Sequence, residues 1–206
     1  MSKTNQTKEK SYVVASLGRC GSTLITDCIY KHISTGIKDD HRQKRVFLEK
    51  YPKEFKKGYV YKTHLYPIDF PENCKVIFTF GDPLDIILSV VRKSKKTHWK
   101  EAHFKNMGAN KEDLPKIMFE DVLGLERMFD AFYKAQSFDL LCIRYETMWE
   151  NEDKISDFLG FKIRLPKKTA RKTFPSKHDK SKIQAFKSSY ESLITKIEQA
   201  EDIKRW

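Results

Sequence analysis

The apolar positions of this chain fall into short continuous runs that alternate with stretches of helical period. Tyr12–Leu17 (YVVASL) is a run of β-forming residues closed by Gly18, the pattern of a buried strand. From Ser22 to about His32 the period turns helical, with Leu24, Ile25, Cys28 and Ile29 on one face. Residues 34–58 are polar and charged, without clear periodicity. Tyr59–Thr63 (YVYKT) and Lys75–Phe80 (KVIFTF) predict two further strands, and Pro83 sits in the first turn of a helix running through Ile86, Ile87, Val90 and Val91. After Pro115, apolar residues from Ile117 to Phe132 recur at helical spacing and predict one longer helix. Leu140–Arg144 (LLCIR) is a fourth strand, and the helix after it ends at Phe158 and Leu159 with Gly160 as its cap. A last helix is predicted from about Lys180 to Ile203. No internal repeat or low-complexity linker interrupts the pattern.

Apolar strands alternating with helices predict an α/β fold in three layers, a central parallel sheet with helices on both faces. Residues 1–206 are expected to form one domain, with 1–10 as a flexible tail. Ligands of such sheets bind beyond the C-terminal strand ends. That rule places 18–23, 62–64 and 81–83 in one crevice.

Composition narrows the class. A chain of 206 residues can bury a sizeable core, and 13% aromatic residues are too many for a disordered one. The formal net charge is +12 and unevenly spread: residues 162–187 hold ten Lys and Arg against Asp179 alone. Such a patch predicts an anionic partner without specifying which. The four cysteines show no CxxC pair and no zinc-type spacing with the six histidines, so no metal site is expected. Residues 1–10 lack a signal-peptide core, and no run approaches the roughly 20 apolar residues of a membrane span. A cytoplasmic protein without a membrane span is the expectation.

The candidate chemistry begins in the loop after the first strand, Ser16–Thr23 (SLGRCGST). Gly18 and Gly21 permit a tight turn whose backbone N–H groups can point at an anion, and Ser22 and Thr23 add hydroxyl donors. Ser22 stands where a Walker A loop has its lysine, and the cation lies earlier, at Arg19. Cys20 invites a phosphatase reading through a thiolate at a helix N-terminus. That chemistry needs an arginine about six residues on, and position 26 is Thr26.

Residues 16–24 (SLGRCGSTL) resemble the 5′-phosphosulfate loop of the P-loop sulfotransferases. Lys62–Leu65 (KTHL) looks like the segment of the cytosolic members that carries the catalytic base. Asp82–Ser89 (DPLDIILS) resembles their 3′-phosphate motif. Arg144–Glu146 (RYE) and Phe158–Gly160 (FLG) look like the strand end and helix that follow. The matches are in order over roughly residues 11–161. The resemblance implies a P-loop NTPase-like fold and transfer of a sulfuryl group from 3′-phosphoadenosine-5′-phosphosulfate (PAPS) to an acceptor hydroxyl or amine, releasing 3′,5′-adenosine bisphosphate. It implies His64 as general base and Lys62 and Arg19 as the cations facing the leaving oxygen. Gly18, Arg19, Cys20, Gly21, Ser22 and Thr23 would hold the 5′ end, Ser89 the 3′-phosphate, and Tyr145 would lie near the adenine. Gly81 departs from the pattern, because the family has an arginine there; Arg171 and Lys172 are the candidates to replace it.

No metal is required by this scheme and no nucleic-acid partner is expected; part of the basic patch is left for an anionic acceptor. The acceptor pocket would draw on residues 34–58 and 93–112, including His98, Trp99, His103 and Phe104. Two alternatives compete. One is a P-loop nucleotide or small-molecule kinase, with Asp82 as the metal-holding carboxylate. The other is a non-catalytic polyanion binder working through 162–187.

Overall fold

A computed structural model describes residues 9–35, 44–134, 136–170 and 179–206. Strand β1 (Ser11–Ser16) lies at the centre, and every residue in it is buried. Side chains alternate across a strand, so Val13 and Ala15 pack into one apolar cluster while Tyr12 and Val14 pack into another. This is why the run reads as continuously apolar.

Strands β3 (Val60–Thr63) and β4 (Cys74–Phe80) flank β1, both parallel to it. Beyond them lie β2 (Arg45–Leu48) and β5 (Leu140–Arg144), also parallel to their neighbours. A last strand, β6 (Ile203–Arg205), pairs antiparallel with β5. The order is β2-β3-β1-β4-β5-β6, so the sheet is mostly parallel rather than wholly so. The chain leaves β1 for β2 and β3 on one side and crosses to β4 on the other. A crevice therefore opens beyond the C-terminal end of β1.

Helices α1 (Ser22–Ile33) and α5 (Glu152–Leu159) cover one face through Ile25, Ile29, Ile155 and Phe158. On the other face lie α2 (Pro83–Lys93), α3 (Thr97–Asn106), α4 (Leu125–Phe132), α6 (Lys180–Ser189) and α7 (Glu191–Gln199). Their contributions include Ile86, Phe104, Phe129, Phe186 and Leu193. Gly160 caps α5 in the left-handed conformation, φ 82°. No helix among the described residues is long and apolar enough to cross a membrane.

Four local features depart from the sequence pattern. Strand β2 lies inside the stretch read as aperiodic; only Leu48 of its four residues is buried, and backbone pairing to β3 holds it at the sheet edge. Helix α3 occupies a region that carried no predicted element. The long helix predicted from Ile117 to Phe132 is replaced by turns over 117–124 and the shorter α4, with a 3-10 turn at Lys111–Lys116 before them. Gly124 is left-handed at φ 62°, and the Asp121 carboxylate accepts from the Leu125 and Glu126 amides, both at 2.9 Å. Helix geometry cannot propagate backward through that cap.

The last helix breaks at Tyr190, whose buried hydroxyl donates to the carbonyls of Ile117 (2.9 Å) and Glu120 (2.7 Å). It then ends at Ala200, and Ile203 joins the sheet. Arg144 at the end of β5 binds the carbonyls of Ile197 and Ala200, at 2.6 and 2.7 Å, and so pins that helix terminus to the sheet.

Candidate anion-binding cleft

The loop that leaves β1 turns through three positive φ angles in four residues: Gly18 at 80°, Arg19 at 57° and Gly21 at 78°. Arg19 is the one non-glycine residue with positive φ among those described. A side chain in that region costs about 1–2 kcal/mol, which packing around it must offset. The turn delivers the chain into α1, whose N-terminus has no side-chain cap and no acidic residue in its first turn. Amides left in this way favour an anion.

Tyr145, in the 3-10 turn after β5, closes down on the loop. A Cβ on Gly21 would lie 2.6 Å from Tyr145 Cδ2, so only glycine lets the ring approach this closely.

Ser16 ties the loop to the neighbouring strand end. Its hydroxyl donates to Ser22 Oγ at 3.1 Å and accepts from the Gly18 amide at 3.2 Å. His64 Nδ1 lies 3.0 Å from the Ser16 carbonyl and 3.1 Å from its hydroxyl. A carbonyl only accepts, so Nδ1 carries the proton and Nε2 keeps its lone pair. Burial holds the His64 pKa down at about 4; the Ser16 hydrogen bond offsets this in part, and Lys62 and Arg19 push it lower. The imidazole is therefore neutral at pH 7.

Two cations flank it. Lys62 donates to Thr23 Oγ1 at 2.8 Å, and its pKa is lowered to about 8 by burial, then by Arg45 and Arg19. The Arg19 side chain turns away toward α2, donating from Nε to Ser89 Oγ at 3.0 Å, with its guanidinium 5.7 Å from the Trp99 ring centre.

These groups border a cleft of about 440 Å³ at the sheet's C-terminal edge. Its floor is Arg19, Gly21, Ser22, Thr23, Lys62 and His64; Tyr145, Phe47 and α3 build its walls. Comparison with protein-family models and with curated proteins returns no match. What the cleft can do follows from its own groups. Among the described residues none of the lining side chains is acidic, so the cleft is chemically one-sided: cations, hydroxyls and an open helix N-terminus beside a neutral imidazole.

The residues singled out from the sequence meet here unequally. Arg19, Gly21, Ser22, Thr23, Lys62, His64 and Tyr145 all line the cleft. Gly18 lies under it, where a Cβ would come 3.1 Å from His103 Cε1. Ser89 is buried beneath Arg19 rather than open to the cleft. Cys20 is fully buried and turns its thiol to the Gly18 carbonyl, at 3.1 Å, which does not suit a phosphatase nucleophile. Gly81 does not line the cleft; a Cβ there would sit 2.9 Å from both carboxylate oxygens of Glu146, the movable end of that side chain. Asp82 caps α2 through the amides of Leu84 (2.7 Å) and Asp85 (3.2 Å). Arg171 and Lys172 lie outside the described residues.

Phe47 and Asn106 line the cleft without having been singled out from the sequence. Phe47 sits on the edge strand that has no apolar period, and Asn106 ends a helix that buries few of its residues. A β-branched or aromatic pair at Val46 and Phe47, inside an otherwise charged stretch, was the signal available for the first.

Proposed function

We propose that this chain is a sulfotransferase that moves a sulfuryl group from PAPS to an acceptor hydroxyl or amine. The observation that carries the reading is one arrangement: His64, neutral and fixed through Nδ1, borders the same cleft as the uncapped start of α1 and Lys62. An anion is attracted to the second part, and a proton can be taken by the first. The motif resemblance adds the identity of the anion.

The first-turn amides of α1 and the hydroxyls of Ser22 and Thr23 suit the 5′-phosphosulfate, and Tyr145 suits the adenine. As the acceptor oxygen or nitrogen attacks sulfur, its proton passes to His64 Nε2. The sulfur–oxygen bond to the nucleotide breaks, and its electron pair stays on the phosphate oxygen. Lys62, on the loop side of His64, stabilises the charge that develops there. Nδ1–H, held on the Ser16 carbonyl, keeps the ring oriented and stabilises the imidazolium that forms.

Asp82 supports the kinase alternative poorly, because its carboxylate is engaged in capping α2. Thermal shift with adenosine 3′,5′-bisphosphate against ATP plus magnesium separates the two. Stabilisation by the bisphosphate, together with acceptor sulfation from PAPS, is expected; a preference for ATP and magnesium overturns the reading. In the active protein, His64→Ala is expected to abolish turnover while bisphosphate binding persists. Near-normal turnover in that variant removes His64 from the mechanism.

A further inference from the structure

We propose that α3 carries the acceptor subsite: His103 and Asn106 hydrogen-bond a second hydroxyl, beside the one that reacts at His64, on a flat ring without positive charge. The identity of the reacting group rests on the sulfotransferase reading; the subsite itself rests on the cleft.

Two buried polar atoms mark it. His103 Nε2 and Asn106 Oδ1 are both shielded from solvent and make no hydrogen bond among the described residues. Both side chains line the cleft, and His103 is only 7% exposed. Native proteins leave few such atoms unsatisfied, and those they leave ask for a partner from outside the fold. The two residues are three apart on α3, which puts them on one face of the helix.

His103 stays neutral, since burial, then His64, Arg19 and Lys62, hold its pKa at about 3. An amide oxygen accepts and a neutral imidazole can present Nε2–H, so the complementary group is a hydroxyl, which gives its one proton to Asn106 Oδ1 and accepts from His103 Nε2. The two imidazole rings lie 5.7 Å apart, centre to centre, within the span of one small molecule carrying two hydroxyls.

The walls set the rest of the shape. The Trp99 ring stacks on His103 at 4.6 Å with only 15° between planes. Phe47 stands edge-on to His64 at 5.9 Å and leaves 41% of its surface exposed. Aromatic walls around a few placed polar atoms fit a planar ring. Arg19 and Lys62 line the same cleft without an acidic counterpart among the lining residues, so an ammonium-bearing ligand is repelled.

The test is calorimetry with catechol, phenol and tyramine, on protein with and without adenosine 3′,5′-bisphosphate. Catechol is expected to bind about tenfold tighter than phenol, the scale of one buried hydrogen bond gained, and tyramine more weakly than phenol. Asn106→Leu and His103→Phe, the latter keeping an aromatic ring on Trp99, should bring catechol down to the phenol level and leave phenol unchanged. Asn106→Asp keeps an acceptor oxygen and should keep the catechol preference. Equal affinity for catechol and phenol in the wild type overturns the proposal, as does a preference that survives the Leu and Phe substitutions. If His103→Phe does not fold, Asn106→Leu decides, since it changes a half-buried residue in the last turn of α3. A catechol preference without any bisphosphate binding would overturn the sulfotransferase reading and leave the subsite standing.

Discussion

Gly21→Ala tests the joint between the loop and Tyr145. Gly21 sits at φ 78°, and the new Cβ would meet ring atoms of Tyr145 at 2.6 and 2.9 Å. These are atoms within a ring, not the tip of a flexible chain, and the ring is braced edge-on against Trp149 at 5.4 Å. The left-handed backbone costs an alanine about 1–2 kcal/mol. Forcing extra volume into a packed contact adds about 1–3 kcal/mol. The sum, about 2–5 kcal/mol, corresponds to a fall in Tm of about 5–15 °C for a chain of this size. Gly108→Ala isolates the backbone share, since Gly108 has φ 68° and nothing within 4 Å of its Cβ position. Urea unfolding of both variants, followed by tryptophan fluorescence, gives the difference directly. In a double-mutant cycle, Tyr145→Ala should return about 1–3 kcal/mol of the Gly21→Ala loss. If Gly21→Ala costs no more than Gly108→Ala, Tyr145 is not pressed against the loop and the closed wall of the cleft is wrong.

Acidification should unfold the protein by way of its buried imidazoles. The folded-state pKa values of His64 (about 4) and His103 (about 3) lie below the ordinary 6.5, so between about pH 6.5 and 4 the unfolded chain binds protons that the folded one refuses. Their contribution is fully present above that window and falls on acidification by about 1.4 kcal/mol per histidine per pH unit; urea titrations should show His103→Phe with a shallower slope, and an unchanged slope refutes the assignment. Lys62, with its pKa lowered to about 8, loses charge as pH rises through that value. Bisphosphate affinity should therefore weaken above pH 8 in the wild type but not in Lys62→Arg, and a parallel pH profile in the two would sink the role given to Lys62.

Much of this was legible along the chain, and for a physical reason. A strand buried on both faces must be apolar at every position, so β1, β4 and β5 announce themselves, and alternation with helical periods gives the α/β class. The loop at Gly18–Thr23 is legible too, because left-handed turns select glycine and helix starts select hydroxyls. Less legible were the elements held by partners remote in sequence. Strand β2 needs only β3's backbone, and β6 needs only β5's, so neither demands an apolar pattern. The helical period around Ile117 reflects real burial of Ile117 and Met118, but in turns beside the Asp121 cap and the Tyr190 hydroxyl.

The amino-acid order by itself thus determined which segments enter the core, where the chain turns sharply and which residue types stand at the strand ends, because these depend on neighbours within one or two turns. Only the tertiary structure decided what those residues do to one another. Arg19 and Lys62 both line the cleft, yet one is held by Ser89, 70 positions away, and the other by Thr23. His64 becomes a neutral, oriented imidazole because Ser16, on another strand, supplies a carbonyl and the core removes water. At Gly81 the space beside the missing side chain is occupied by the Glu146 carboxylate. Charge, burial and hydrogen-bond direction are properties of that assembled surroundings, and no local pattern carries them.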